Sequence, residues 1–336
     1  MTRSHTLDLQ DCARLVALAE HGSFAAAARA LGLSQPALTR AVQSLERRLR
    51  AEVFHRTSTG VRPTDVGLLV LERSRDLLHR ARDLTRSLDQ MSGIEQGEVS
   101  VAVGAYPAAM ILEEALLRFH RAAPAVRVQV FIGDWADVML RLRTGQADLA
   151  VFETSLTEDD PTLEVRRLQE HRGHWVVRRG HPLARGRDAA LAEVLKYPLA
   201  FPTRFPPRAL EPMLRHRPAG GPSGNQLATL LCADLRLLLR LVARSDFVTG
   251  TAPLLVRAEL EAGTLVSVGS EPWMTSRYGI HRPRQREHSP FAAMLSEAFA
   301  EADAQFAADA AAYRGVATAR PSRARKRSAG RPPSSP

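Results

Sequence analysis

The chain is poor in cysteine and almost free of lysine. Its 336 residues include only Cys12 and Cys232, and lysine supplies 2 of the 46 basic side chains. The two cysteines lie far apart in apolar surroundings. This predicts two buried free thiols and argues against a disulfide framework or a redox pair. There is no run of 18 or more apolar residues, which excludes a transmembrane helix. The opening MTRSHTLDLQDCARLVALAE lacks the basic, apolar, small-residue order of a signal peptide, so a cytoplasmic location is expected, with no membrane partner. No G-x-S-x-G, Walker or Rossmann glycine motif occurs. His171 and His174 are three apart with no third ligand pattern nearby, and a strand would direct them to opposite faces. No catalytic role, metal or cofactor is therefore expected.

Acidic residues are absent from 314–336, where seven basic side chains stand. Residues 1–90 hold fourteen arginines against ten acids, a net +4. The stretch between, 91–313, nets −1 of the total +10. Basic ends around a neutral middle suit nucleic-acid contacts at the ends and a separate task in the centre, although basic ends also aid solubility. Residues 314–336 are rich in Pro, Ser and Arg and read as a disordered tail. Within it, Gly330-Arg331-Pro332 is similar to the core of a minor-groove AT-hook, except that Ala329 stands where an arginine belongs.

What is present starts with GSFAAAARALGLSQPALTRAVQSLERRL, Gly22 to Leu49. Phe24, Ala27, Ala28 and Leu31 fall on one helical face, and Gly32 stops that helix. Ser34 is an N-cap for a second helix, with Pro36 tolerated in its first turn. Leu38, Val42, Leu45 and Leu49 form its apolar stripe. Pro36, Arg40, Gln43 and Arg47 lie opposite, flanked by Ala37, Thr39 and Ser44. A plain compact helix, a tight turn and an amphipathic helix have helix-turn-helix spacing. Arg and Gln forks read guanine and adenine edges in the major groove, and Ala or Thr methyls touch thymine. A solvated surface helix is the alternative. Ser34, Gln35, Pro36, Ala37, Thr39, Arg40, Gln43 and Arg47 are the expected DNA contacts on this helix.

VFHRTSTGVRPT, Val53 to Thr64, reads as two short strands around Ser58-Thr59-Gly60, a wing whose His55, Arg56 and Arg62 reach phosphates. Thr64 then caps a helix over about 65–90 with two apolar stripes. Val66, Val70, Leu77, Leu84 and Leu88 form one, and Leu68, Leu71, Leu78 and Ala81 the other. Two stripes imply two packing partners, the head and a second copy of the chain. A homodimer or homotetramer suits a palindromic site on double-stranded promoter DNA.

From about residue 93, strands and helices alternate. VSVAV near 99–103, VRVQVFI at 126–132 and ADLAVF at 147–152 read as strands around helices opened by Pro107 and at Trp135 to Thr144. A second set follows: GHWVVRR, a helix at 188–196, PLAFPT, NQLATLL, a helix at 233–244, DFVTGTAP, a helix at 254–262 and TLVSVG. The chain then returns with SRYGIHRP and a helix from Ser289 to Tyr313. Such alternation predicts open parallel sheets. Ligands of open sheets bind beyond the carboxyl ends of the strands. Four turns qualify: Gly104-Ala105-Tyr106-Pro107, Gly133-Asp134-Trp135, Pro202-Thr203-Arg204 and Thr249-Gly250-Thr251-Ala252. They offer Tyr106, Trp135, Thr203, Arg204, Thr249 and Thr251 to a small-molecule ligand. The Arg204 fork favours an anion, and Asp134 is expected to cap its own helix. The plainer reading leaves Trp135 in the core and Arg204 in solvent.

The helix-turn-helix stretch, the wing and Gly67 resemble the N-terminal domain of LysR-type transcriptional regulators, from about Leu7 to Leu88. Many members carry Leu-Gly where this chain has Leu49-Arg50, and Leu-Thr where it has Pro63-Thr64. HPLA at 181–184 and ELEAGTLV at 259–266 extend the resemblance to about residue 305, and RYGIHRP loosely resembles members that control sugar and aromatic-acid catabolism. The resemblance implies an α/β chain with a winged helix-turn-helix at 1–64, a linker helix at 65–92 and a two-lobed, periplasmic-binding-protein-like effector domain at 93–313. Lobe I would take 93–166 and 270–313, lobe II 167–269, with the tail at 314–336. It implies a regulator that binds promoter DNA and responds to a small molecule. A constitutive, architectural DNA binder is the alternative.

Overall fold

The computed structural model describes residues 7–57, 60–91, 97–186, 188–216, 224–284 and 289–313. The wing tip at Ser58-Thr59 and the whole basic tail, with its Gly330-Arg331-Pro332, lie outside the described residues.

Helices α1 (Leu9–His21), α2 (Phe24–Ala30) and α3 (Gln35–Leu49) each start at a side-chain cap. Asp8, Ser23 and Ser34 accept hydrogen bonds from the backbone N–H of Asp11, Ala26 and Ala37. These caps satisfy donors that the first helical turn leaves unpaired. Ala27 and Ala28 of α2 are buried, so their small side chains let it pack between Leu15 and Leu18 of α1 and Leu38, Val42 and Leu45 of α3. Strands β1 (Phe54–Thr57) and β2 (Gly60–Pro63) form the antiparallel wing. Val61 N–H donates to the Gly22 carbonyl at 2.9 Å, which ties the wing to the α1–α2 turn.

Helix α4 (Asp65–Met91) opens on Thr64, whose Oγ1 accepts from Gly67 N–H at 2.8 Å. A Cβ on Gly67 would lie 2.0 Å from the Val53 carbonyl oxygen, so only glycine lets the helix rest on the strand entry. The two expected stripes regroup. Val70 and Leu71 both pack on the head core, because they flank Gly67 and Ser74 on one face. Val66, Leu68, Leu69, Leu77 and Leu84 are exposed. The Leu88 side chain lies outside the described ones.

Beyond the linker, the first lobe is built from β3 (Glu98–Gly104), α5 (Ala105–Pro107), a π-helical turn at Ala108–Leu112, α6 (Glu113–Ala122), β4 (Arg127–Gly133), α7 (Trp135–Arg143), β5 (Leu149–Glu153) and β6 (Leu163–Arg172). The second lobe follows with β7 (His174–Arg178), α8 (Leu191–Val194), β8 (Leu199–Phe201), α9 (Pro207–His216), β9 (Ala228–Leu231), α10 (Leu235–Val242), β10 (Thr249–Thr251), α11 (Arg257–Glu261) and β11 (Leu265–Ser267). Strand β12 (Thr275–Pro283) and helix α12 (Pro290–Ala312) rejoin the first lobe.

Neither lobe holds parallel strand pairs alone, contrary to the expectation from alternation. The first has the order β4-β3-β5-β12-β6. β3 runs parallel to β4 and β5, but β12 is antiparallel to β5 and β6 because it re-enters from the other lobe. In the second lobe β7 sits antiparallel between β10 and β11, while β8 and β9 pair in parallel. The lobe boundary also moves. β6 pairs with β12 from Leu163 to Arg172, so the first crossover falls at Gly173 and not at 166/167. Strand β6 and helix α9 were not expected. The charged LEVRRLQEHR hides strand periodicity, and Pro206, Pro207 and Pro212 read as breakers, although proline at a first helical position is compatible with a helix.

Val99, Val101, Val103, Leu149 and Val151 pack on Phe119, Leu295 and Phe299 to form the first lobe's core. Trp175, Phe201, Met213 and Val248 anchor the second. Both cysteines are free, but only Cys12 is buried; Cys232 is half-buried, with Sγ 3.7 Å from the Asp234 carbonyl. His171 and His174 fall on different strands. His171 Nε2 meets Asp303 Oδ1 at 2.7 Å, and His174 Nδ1 meets Ser267 Oγ at 3.0 Å. No group of three metal-binding side chains occurs among the described residues. None of the described helices is long and apolar enough to cross a membrane.

Candidate functional site

On α3, the buried Leu38, Val42 and Leu45 fix which side faces outward. Ser34, Gln35, Pro36, Arg40, Gln43 and Arg47 are exposed, with Ala37 and Thr39 half-buried beside them. The structure thus brings all eight expected helix contacts to one side of the head. Two acids hold that side in place from behind. Asp11, 4% exposed, pairs with Arg14 and with Arg48 of α3. Glu46 Oε1 accepts from the backbone N–H of Val53 at 2.8 Å and of Phe54 at 3.2 Å, joining α3 to the wing. In the wing, His55 and Arg62 stand directly opposite each other and Arg56 lies 5.1 Å over the Phe24 ring. All three wing side chains are exposed. This surface offers forked donors beside positive charge, the combination that reads base edges and holds phosphates.

At the other end of the chain's work, the four strand-end turns converge. Between the lobes lies a cavity of about 150 Å³ lined by residues from all four. Tyr106, Trp135, Thr203, Arg204 and Thr251 line it as expected. Thr249 does not, because it sits deeper in β10 while the cavity opens at the strand's carboxyl end. The wall is largely aromatic. Trp175 packs edge-on against Phe201 and Trp273, and Phe201 against Phe205. Trp135, Trp175 and Trp273 are the chain's three tryptophans, and all line the cavity. Burial pushes the Tyr106 and Tyr278 phenols well above their ordinary range, so both are neutral. Tyr106 Oη–H donates to the Gly250 carbonyl of the other lobe at 2.5 Å.

Two ion pairs span the lobes at this cavity. Arg204 Nη2 and Nε donate to Asp134 Oδ1 and Oδ2 at 2.7 and 3.2 Å, and Thr203 Oγ1–H donates to Oδ2 at 2.9 Å. Asp134 does cap its own helix, accepting from Ala136 N–H at 3.0 Å, but it also fills the Arg204 fork. The expectation of a fork open to an anion is not met. Burial raises the Asp134 carboxyl, yet hydrogen bonds from Arg204, Ala136 and Thr203 outweigh that and leave it below its ordinary value. Arg208 Nε and Nη2 meet Glu153 Oε1 and Oε2 at 2.9 and 2.8 Å, and this pair is more buried. Neither Glu153 nor Arg208 was expected. Glu153 ends β5, so the strand-end rule could have found it. Arg208 sits on the unexpected α9.

Residues 9–68 match the family model for bacterial regulatory helix-turn-helix proteins of the lysR family, and residues 92–304 match that for the LysR substrate binding domain. An SDS degradation transcriptional activation protein of a Pseudomonas species is 37% identical over 304 residues, spanning 89% of this chain and 97% of that protein. Among solved structures, a full-length OxyR from Pseudomonas aeruginosa superposes with a TM-score of 0.62 at 18% identity, covering 88% of this chain and 95% of its own. Full-length CbnR complexed with its target DNA gives 0.55 at 20% identity, covering 88% and 100%. At these identities the structural likeness establishes the fold.

Proposed function

The chain belongs to the LysR family of transcriptional regulators, a DNA-binding family with an effector domain, and from that premise we propose how its parts divide the work. Gln43 and Arg40 read base edges in the major groove, with Gln35, Arg47, Ala37 and Thr39 beside them. Ser34 and Pro36 place the helix start, and His55, Arg56 and Arg62 hold phosphates. The single observation behind this assignment is the exposed polar face of α3 set on a buried apolar stripe and bolted to the wing by Glu46. The regulator works in the cytoplasm as a dimer or tetramer joined along the exposed apolar side of α4.

The inter-lobe cavity takes the effector, touching Tyr106, Trp135, Thr203 and Arg204. Binding there changes lobe closure and so repositions the paired heads. A constitutive architectural binder leaves the cavity between the lobes without a use. Capture of an anion by Arg204 requires Asp134 to leave first, which sets it behind effectors that use the aromatic wall. The Pseudomonas relative is named for activating SDS degradation, which directs the first effector screen to molecules with apolar bodies. Footprinting on the promoters flanking the gene, with and without candidate effectors, tests the whole reading. Protection of one promoter that shifts on effector addition is the expected result. Equal binding to promoter and random DNA sinks it.

A further inference from the structure

The cavity's charges are already spent on one another. Among the described residues, its charged lining side chains are Glu153, Arg204 and Arg208; Glu153 and Arg208 pair with each other and Arg204 pairs with Asp134, while the lining His171 hydrogen-bonds Asp303. Removing a carboxylate from water without a free partner carries a heavy desolvation cost, so such a lining selects against ions. The rings of Trp175, Phe201, Phe205 and Trp273 offer apolar area instead. A volume of about 150 Å³ matches a single small ring or a short chain.

Two indole donors in the lining remain unused, beside the Thr251 hydroxyl, which also lacks a partner. Trp175 Nε1 and Trp135 Nε1 are buried atoms without a hydrogen-bond partner, and Trp175 is 1% exposed. An indole nitrogen donates and cannot accept. A buried donor left unpaired is costly, and a ligand oxygen relieves that cost. Trp175 stands opposite Gly250 in the β7–β10 register, and the Met274 and Phe201 side chains fill the space over that glycine.

We propose that the effector is an uncharged, compact, largely apolar molecule, aromatic or short aliphatic, with a carbonyl or hydroxyl oxygen that accepts from the indole N–H of Trp175 or Trp135. The inference rests on the reading of the inter-lobe cavity as the effector site, and it excludes carboxylates as the preferred class. The two lobe-spanning ion pairs then act as closures of the cavity while the ligand contacts its aromatic wall.

Because all three tryptophans line the cavity, their fluorescence reports occupancy directly. The full-length protein is titrated with benzyl alcohol, benzoate and toluene. Benzyl alcohol is expected to give a saturable change, with benzoate weaker by about tenfold or more. Trp175→Phe keeps a ring and removes the donor. It should weaken benzyl alcohol by roughly threefold to tenfold and leave toluene unaltered. Trp135→Phe is the second variant, read in the same way if Trp175→Phe does not fold. Benzoate binding as tightly as benzyl alcohol overturns the uncharged class while the cavity reading stands. Equal losses for the alcohol and toluene in both variants overturn the donor assignment. No saturable response to any of the three probes overturns the cavity reading and the class together.

Discussion

Asp134 and Arg204 lie 70 residues apart in sequence and meet in a two-point ion pair that joins the lobes, Nη2 to Oδ1 at 2.7 Å and Nε to Oδ2 at 3.2 Å. The same carboxylate caps α7. One side chain therefore couples the start of a first-lobe helix to the closure of the cleft.

That coupling has a pH signature. The folded-state pKa of Asp134 lies below its ordinary value of 3.8. Its contribution is complete above the unfolded value and is lost as pH falls through the lower folded one. Asp134→Asn preserves the cap and removes the charge. It should cost on the order of 1 kcal/mol at neutral pH, discounted for the partial exposure of Arg204, and flatten the loss of stability on acidification below about 3.8. Urea melts at pH 7 and pH 3 check it; identical pH dependence in variant and wild type contradicts it.

His281 adds a second pH effect in a different window. It is 0% exposed, stacks on Phe152 at 3.8 Å, and burial lowers its pKa from 6.5 to about 4. The unfolded chain therefore binds this proton first as pH falls from 6.5. Stability should decline steadily between pH 6.5 and about 4. NMR titration of the His281 ring tests this; an imidazole that titrates near 6.5 refutes it.

Gln43 is exposed on α3, away from the buried Leu38, Val42 and Leu45. Gln43→Ala should cost roughly 1–3 kcal/mol on the specific site and relax preference at one base pair. Random DNA should bind as before. Gel-shift titrations on both DNAs decide it, and a uniform loss would show that Gln43 reads no base.

Arg50 caps α3 in the left-handed region, with φ of 55°, and is the only non-glycine residue at positive φ among those described. Left-handed backbone costs a side chain with a Cβ roughly 1–2 kcal/mol. Arg50→Gly should therefore stabilise the head, by up to about 1 kcal/mol once the greater freedom of unfolded glycine is offset. Thermal unfolding measures this; a lower melting temperature would show that the Arg50 side chain makes up the strain.

Leu77 and Leu84 are 45% and 64% exposed on the outward side of α4. A stripe of this kind needs a partner helix. Leu77→Asp with Leu84→Asp should dissociate the assembly, and sedimentation velocity should show the monomer. An unchanged sedimentation coefficient would place the interface elsewhere.

Much of the head was legible because its determinants are local. Ser34, the Leu38/Val42/Leu45 stripe, Gly32 and Thr64 act within one or two helical turns, where i, i+3 and i+4 spacing carries the signal. The four strand-end turns were legible for a related reason, since turn residues stand out against the apolar strands they follow. Arg50 was visible as a departure from a family pattern, but its meaning came only with its φ of 55°.

The sequence alone determined the helix-turn-helix, its outward side chains, the alternation of strands and helices, and the turns that surround the cavity. The tertiary structure decided the rest. Pairing of Asp134 with Arg204 and of Glu153 with Arg208 depends on how two lobes dock, and no short-range pattern encodes contacts across 70 and 55 residues. The antiparallel entry of β12 and the crossover at Gly173 follow from the path of the returning chain. The character of the cavity, aromatic with its charges paired, follows from the same docking. A guanidinium that reads as an open anion site in sequence is closed once a distant carboxylate reaches it.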